Sequence, residues 1–234
     1  MIKSELIKFF TPFKMIIYGG IILTFILIAD VIFKDSGVLN QTLYSFIFDN
    51  VKTFIFVIPI ILAPIASEIF THDYECGCMK FFVLYKKREK VLFSKMLSLF
   101  LITTVLIIFT FFLLTLTYMF LNWSTFNISL ENILKVSRMG GTFLITLIPI
   151  LLIFVMISIL FKNSSILSLL VFLLVIMSDF FPKVIGNITP RRFLWEFVLQ
   201  EGQITKFSII LFVLYIIFFM ILDIKLFSKK EMIL

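Results

Sequence analysis

The sequence predicts an all-α polytopic membrane protein with six transmembrane helices, and three observations lead to that fold class. Hydrophobic residues make up 61% of the 234 residues and charged residues only 15%, whereas soluble domains average about 45–50% and 25%. The mean hydropathy is +1.15. The apolar residues also occur in runs about as long as the roughly 20 helical residues that cross a bilayer. Such uniform runs are not typical of the surface helices of a soluble protein.

Six apolar runs organise the chain as a single transmembrane domain over residues 1–234. Pro59, Pro64 and Pro149 lie inside these runs, which membrane helices tolerate, and we expect kinks near Pro59 and Pro64. The first run is not expected to be a cleavable signal peptide, because it is long, lacks a small-residue cleavage site and precedes five more. The predicted spans are residues 15–33, 51–70, 96–121, 141–161, 165–184 and 207–227.

An amphipathic segment at residues 1–14 precedes the first span. Its apolar residues recur at helical spacing, and its charged residues lie off that stripe, which predicts a short helix in the membrane interface. The stripe is Ile2, Leu6, Phe9 and Phe13, and the charged residues are Lys3, Glu5, Lys8 and Lys14.

A second segment, residues 182–206, precedes the last span and contains TPRRFLWEFVLQEGQ. It is too apolar for a solvated loop and too short for a span. It therefore predicts a re-entrant or surface helix on the extracellular side.

The distribution of Lys and Arg predicts the orientation. Most of the 21 basic residues fall in cytosolic connections if both termini are cytosolic, and residues 71–95 hold the densest group. Topology therefore accounts for the net charge of +7. We do not expect nucleic-acid binding, because no basic patch is interleaved with stacking aromatic residues.

The sequence offers few residues for catalysis. It contains no phosphate-binding loop, no H-E-x-x-H and no G-x-S-x-G motif, so we expect no enzyme activity in this chain. Its one histidine, His72, could join Cys76 and Cys78 as three metal ligands, but a closed zinc site needs four. Free, reduced thiols are the favoured state of these cysteines.

The acidic residues of the spans bear on ion-coupled transport. Asp30, Glu68, Asp179 and Asp223 lie close to predicted span ends, where they are expected to snorkel or face water. That position argues against a proton- or sodium-coupled carrier, which keeps ionisable groups near the bilayer midplane.

The segment between the second and third spans is unusually polar. It runs HDYECGCMK and continues as FFVLYKKREKVLFSK. An acidic stretch, a glycine, a short apolar run and a basic cluster follow one another, which predicts a short helix across the cytosolic mouth of the bundle. On charge alone a simple positive-inside anchor is the favoured interpretation, and the short helix is the alternative.

This segment resembles the cytosolic loop of ABC-2-type transporter permeases, whose pattern is approximately E-F-E-x-G-T-hydrophobic-K followed by P-[VI]-S-R and a lysine that opens the third span. Glu75, Gly77, Arg88 and Lys95 carry the match over about 25 residues. Cys78 replaces the usual threonine, Tyr85-Lys86-Lys87 replaces the Pro-hydrophobic-Ser approach, and the spacing from Gly77 to Arg88 is one residue short. The resemblance extends to the six spans, the cytosolic termini and the N-terminal interfacial helix.

The resemblance implies a coupling helix between spans two and three that docks on a separate cytosolic ABC ATPase. ATP and Mg²⁺ would be bound by that subunit, and no cofactor is expected in this chain. A second permease subunit, like or unlike, is also implied. The candidate coupling residues are Asp73, Glu75, Gly77, Lys80, Phe81, Phe82, Lys86, Lys87 and Arg88.

The expected function is export through the bacterial cytoplasmic membrane. Apolar, phenylalanine-rich spans suit an amphipathic cargo, and the chain is similar to permeases that expel lantibiotics or phenol-soluble modulins. The alternative is a membrane-anchored sensor or assembly partner whose basic loop recruits a cytosolic protein without transport.

Overall fold

The structure, a computed structural model, describes residues 2–34, 42–85, 87–122, 129–161, 170, 189–199 and 205–229. All regular secondary structure within these ranges is helical. A π-helical segment, Trp195–Leu199, directly follows the short helix α8. The α-helices are α1 (Ile2–Phe9), α2 (Pro12–Lys34), α3 (Leu43–Glu75), α4 (Cys78–Tyr85), α5 (Arg88–Leu121), α6 (Leu130–Thr146), α7 (Ile148–Leu160), α8 (Arg191–Leu194) and α9 (Lys206–Lys229).

Five stretches of the described chain are long and apolar enough to cross a membrane. The all-α, multi-pass character predicted from composition is therefore confirmed. The predicted fifth span, residues 165–184, lies outside the described residues except for Leu170, so the count of six stays a prediction. The five stretches are Pro12–Ala29, Leu43–Asp73, Arg88–Leu121, Leu130–Leu160 and Lys206–Lys229.

The fourth span is longer than predicted and is broken once. Its helix begins at Leu130 instead of residue 141, because the side chain of Ser129 caps it by accepting from the Asn132 N–H at 3.3 Å. The break between α6 and α7 falls at Leu147, two residues before Pro149, which has no N–H for the helical ladder. Apolar run length alone therefore placed this helix start too late.

Helix α3 is the centre of the bundle, since 72% of its membrane window is buried. It contacts α2, α5, α6 and α7, and it continues unbroken through Pro59 and Pro64. Helix α9 lies against α7 and α5, but only 11% of its window is buried. From Phe207 to Ile221 its exposed side chains are all apolar, as expected for a helix that crosses a membrane.

The threonine hydroxyl groups of helix α5 are hydrogen-bonded within the helix itself. Each of five threonines donates its hydroxyl to the backbone carbonyl four residues earlier, at 2.7–3.0 Å. This bonding within the helix is common for threonine in apolar surroundings. The five are Thr103, Thr104, Thr110, Thr115 and Thr117.

Candidate functional site

The turn between α3 and α4 depends on Gly77. The N–H of Cys76 still donates to the carbonyl of His72 at 2.9 Å, which continues the last helical turn. Gly77 then adopts a φ of +68°, a left-handed conformation that glycine reaches without steric cost and that commonly ends helices. Helix α4 begins at the next residue, so the predicted short helix between the second and third spans is present.

Helix α4 has a buried side and an exposed apolar side. Met79 is buried, and Phe82 packs against the core. Phe81, Leu84 and Tyr85 are 63%, 80% and 86% exposed. We call these three residues the α4 face. A cluster of exposed apolar side chains outside the membrane-spanning stretches is typical of a surface that contacts another protein or the membrane surface.

The basic residues after α4 differ in their surroundings. Lys87 is exposed and precedes α5 in a non-helical conformation. Arg88 is partly buried, and its Nη1 donates to the carbonyl of Ser228 at 2.6 Å, which ties the start of α5 to the end of α9. Lys86 and the side chains of Glu75 and Lys80 lie outside what the structure describes.

Asp73 does not lie on the surface with the other candidate residues. Its side chain is only 3% exposed, and Oδ2 accepts a hydrogen bond from Nζ of Lys95. Its other oxygen, Oδ1, accepts from Nζ of Lys8 at 3.2 Å. The carboxylate is therefore directed into the protein, and any influence of Asp73 on a docked partner is exerted through these lysines.

Glu5 completes a cluster of four charges, of which three are buried while the Lys8 side chain is 48% exposed. We call Glu5, Lys8, Asp73 and Lys95 the charge cluster. Glu5 Oε1 lies 3.6 Å from Nζ of Lys95, and Glu5 Oε2 lies 3.9 Å from Nζ of Lys8. Two carboxylates and two ammonium groups alternate, so the cluster is formally neutral, as buried charges require.

Lys95 is the most enclosed member of the charge cluster, with 0% of its side chain exposed. Its Nζ also donates to the carbonyl of Ile69 and lies 5.7 Å from the ring centroid of Phe70. It joins the end of α3 to α5, while Glu5 and Lys8 add α1 to the same junction. These ionic contacts hold together the end of α3 and the start of α5, the two helices that α4 connects.

The predicted arrangement of the N-terminal helix is wrong in one respect. The apolar stripe predicts that Glu5 lies on the water-facing side of the helix. Glu5 is instead buried, with Lys8 and Lys95 as its ionic neighbours. Phe13, predicted to continue the apolar stripe, belongs to α2 instead of α1 and is 73% exposed. The sequence signal for Glu5 was weak, since its partner Lys95 lies in a distant helix.

The charges of the cluster also affect Lys8. Burial acts to lower the pKa of the Lys8 ammonium, but the nearby carboxylates of Asp73 and Glu5 outweigh it and raise the pKa above its ordinary value. A second ion pair, between Lys14 and Glu68, joins α2 to α3 close by. Glu68 is thus partly exposed and paired, as its position near a span end predicts.

Asp223 in α9 behaves differently from that expectation. It is 0% exposed, and neither carboxylate oxygen has a hydrogen-bond partner in the described part of the chain. It therefore does not snorkel to water. Asp179 and the side chain of Asp30 lie outside the described residues.

Besides the charge cluster, a smaller polar group of Arg192, Glu196 and Ser208 lies near the start of α9. Residues 191–199 are helical, within the predicted amphipathic segment 182–206. Glu196 in the π-helical segment accepts hydrogen bonds from Nε of Arg192 and the hydroxyl of Ser208. Beside it is an apolar cavity of about 260 Å³. Its lining residues are Thr142, Ile145, Thr146, Phe197, Ile209 and Phe212.

The described residues give no metal-binding cluster of three His, Cys, Asp or Glu side chains. No protein-family model matches the chain, and no curated protein or solved structure matches it. Its function is therefore inferred from its loop pattern and from the geometry of α4 and the charge cluster.

Proposed function

We propose that this chain is the membrane-spanning permease subunit of an ATP-driven exporter and that the α4 face is the surface on which a cytosolic ABC ATPase docks. The observation that supports this most directly is the exposure of Phe81, Leu84 and Tyr85 on a short helix between two membrane-spanning helices. Buried in a partner's groove, apolar and aromatic side chains of this size make strong anchors. Lys87 adds a positive rim that favours an acidic partner surface.

The charge cluster can transmit a movement of α4 to the membrane-spanning helices. Asp73 at the end of α3 is bonded to Lys95 in α5, so a force applied to α4 acts on both helices together. Helix α3 packs against α7 and α2. A rigid-body displacement of α4 on closure of the ATPase would therefore reach the centre of the bundle, as in other domain-closure transitions.

The proposed exporter also requires partner subunits, a defined orientation in the membrane and a cargo. A second permease subunit completes the translocation unit, ATP and Mg²⁺ are bound by the ATPase, and both termini of this chain are cytosolic in a bacterial cytoplasmic membrane. The apolar exposed faces of α2, α5 and α9 suit an amphipathic cargo such as a membrane-active peptide.

The experiment compares two leucines of similar exposure. Leu84 on the α4 face is 80% exposed, and Leu130 is 74% exposed. Leu130 follows the far end of α5, whose 34 residues span about 50 Å. Tagged wild-type chain and the variants Leu84→Asp and Leu130→Asp are purified from native membranes, and co-purifying ATPase subunits are identified by mass spectrometry and assayed for ATP hydrolysis.

We expect the wild type and Leu130→Asp to retain the ATPase. Leu84→Asp should weaken its binding more than about tenfold, the effect of losing an interface anchor worth roughly 2 kcal/mol. Equal retention by both variants would contradict docking on the α4 face. Recovery of a cytosolic partner that is not an ATPase would favour the sensor or assembly function instead.

A further inference from the structure

The end of α3 carries a small cluster of nucleophilic and basic side chains. His72 lies in the last turn of α3, Cys76 follows that helix, and Cys78 begins α4. All three side chains are exposed, and both thiols are free. They belong neither to the charge cluster nor to the α4 face, although Cys78 lies close enough to Lys8 to contribute to the raised pKa of its ammonium group.

The two thiols have different neighbours. The Sγ of Cys76 lies 3.6 Å from Nε2 and 3.7 Å from Nδ1 of His72, since a spacing of four residues places both side chains on one helix side. The Sγ of Cys78 instead donates to the backbone carbonyl of Cys76 at 3.9 Å. Cys76 therefore faces a base, whereas Cys78 faces a carbonyl that cannot take its proton and, at longer range, the Lys8 ammonium group.

We propose that Cys76 is a thiol-modification site that reacts with low-molecular-weight disulfides, with His72 as its general base. The imidazole takes the proton of Cys76, and the thiolate attacks one sulfur of the disulfide R–S–S–R. A new S–S bond joins Cys76 to one RS group, the original S–S bond breaks, and the departing RS⁻ receives the proton from His72 as RSH. Cys76 is oxidised and the departing thiol is reduced, so the exchange is balanced.

The surroundings leave room for the adduct. The side chain of Cys76 is exposed, and a Cβ placed at Gly77 would meet no atom within 4 Å other than those of its neighbours Cys76 and Cys78. Modification would also take place at the turn that joins α3 to α4, one of the two points where α4 is attached to the bundle. The proposal concerns reactivity of this chain alone and does not depend on the proposed function.

The two cysteines provide a matched comparison, because the chain contains no others. The full chain is purified in detergent as Cys78→Ser, which leaves Cys76, and as Cys76→Ser, which leaves Cys78. Each reacts with 5,5′-dithiobis(2-nitrobenzoic acid), and release of the coloured thiolate is followed by stopped flow. The same variants denatured in dodecyl sulfate give the reference ratio of rates without folded structure.

We expect Cys76 to react at least about tenfold faster than Cys78 in the folded chain, the scale of acceleration that an adjacent base gives a thiol. The ratio should fall toward one after denaturation. In the Cys78→Ser background, His72→Gln should remove the acceleration, while in the Cys76→Ser background it should leave the rate of Cys78 unchanged.

Three results would overturn the proposal. The first is an equal rate for both thiols in the folded chain. The second is a ratio that survives denaturation, which would assign the difference to local sequence. The third is an unaltered rate of Cys76 in His72→Gln, which would exclude the imidazole as the proton acceptor.

Discussion

Replacement of Lys95 by methionine tests the charge cluster most directly. The ammonium group is completely buried and bonded to Asp73 and to the Ile69 carbonyl. Lys95→Met keeps much of the side-chain volume but leaves the carboxylates of Asp73 and Glu5 buried with one cation fewer. Removal of one partner from a buried ion pair costs about 3–5 kcal/mol. Lys8 remains 3.2 Å from Asp73, so we expect the lower end of that range.

The assay is a denaturant titration of the purified chain in detergent micelles. A loss of about 3 kcal/mol corresponds to roughly a hundredfold change in the unfolding equilibrium constant. Lys52→Met is the matched control, since Lys52 pairs with Asp49 at 2.7 Å while 38% of its side chain is exposed. It should cost less than about 1 kcal/mol.

A combined substitution separates charge from packing. Asp73→Asn together with Lys95→Met removes one charge of each sign and should recover part of the stability that Lys95→Met loses. Equal stability of Lys95→Met and Lys52→Met would refute the reasoning, because it would mean that Lys95 does not balance buried carboxylates in the folded chain.

Two further predictions use the same titration. Asp223→Leu should increase stability by about 1–3 kcal/mol, because it removes a buried carboxylate that has no hydrogen-bond partner among the described residues; a decrease would indicate a stabilising contact for Asp223. The stabilising effect of Lys8 depends on pH, since its pKa is raised above 10.5 in the folded chain. The stability difference between wild type and Lys8→Met should be complete below pH 10.5 and decline as the pH rises above it; a difference that persists at higher pH would exclude an ionic origin.

Composition and apolar run length were sufficient to predict the class of fold, and the order of acidic, glycine, apolar and basic residues predicted the short helix between the second and third spans. These properties are local, because a membrane helix satisfies its own backbone and needs only enough apolar residues. The same locality caused the error at the fourth span. Its helix extends back to Leu130 through polar residues that run length does not count, and the cap at Ser129 sets its start.

The buried charges could not be predicted in this way. Glu5 and Lys95 are separated by most of α1 through α4, and nothing in a hydrophobic stripe shows that two such groups will meet. Burial of Asp73 similarly depends on Lys8, 65 residues away. Of the candidate coupling residues, Phe81 is exposed on α4, whereas Asp73 is buried and bonded to Lys95. Their role in coupling stays a prediction.

The hydroxyl bonding within α5 limits what this helix can accommodate along its length. Since its threonines donate to their own backbone, a molecule beside the exposed side of α5 meets apolar side chains such as Val105, Ile108 and Phe112 but few vacant donors. Peptide groups brought there without partners would each lose about 1–3 kcal/mol. If the proposed export function holds, a cargo that passes along α5 must have its polar groups already paired among themselves, as those of a helical peptide are.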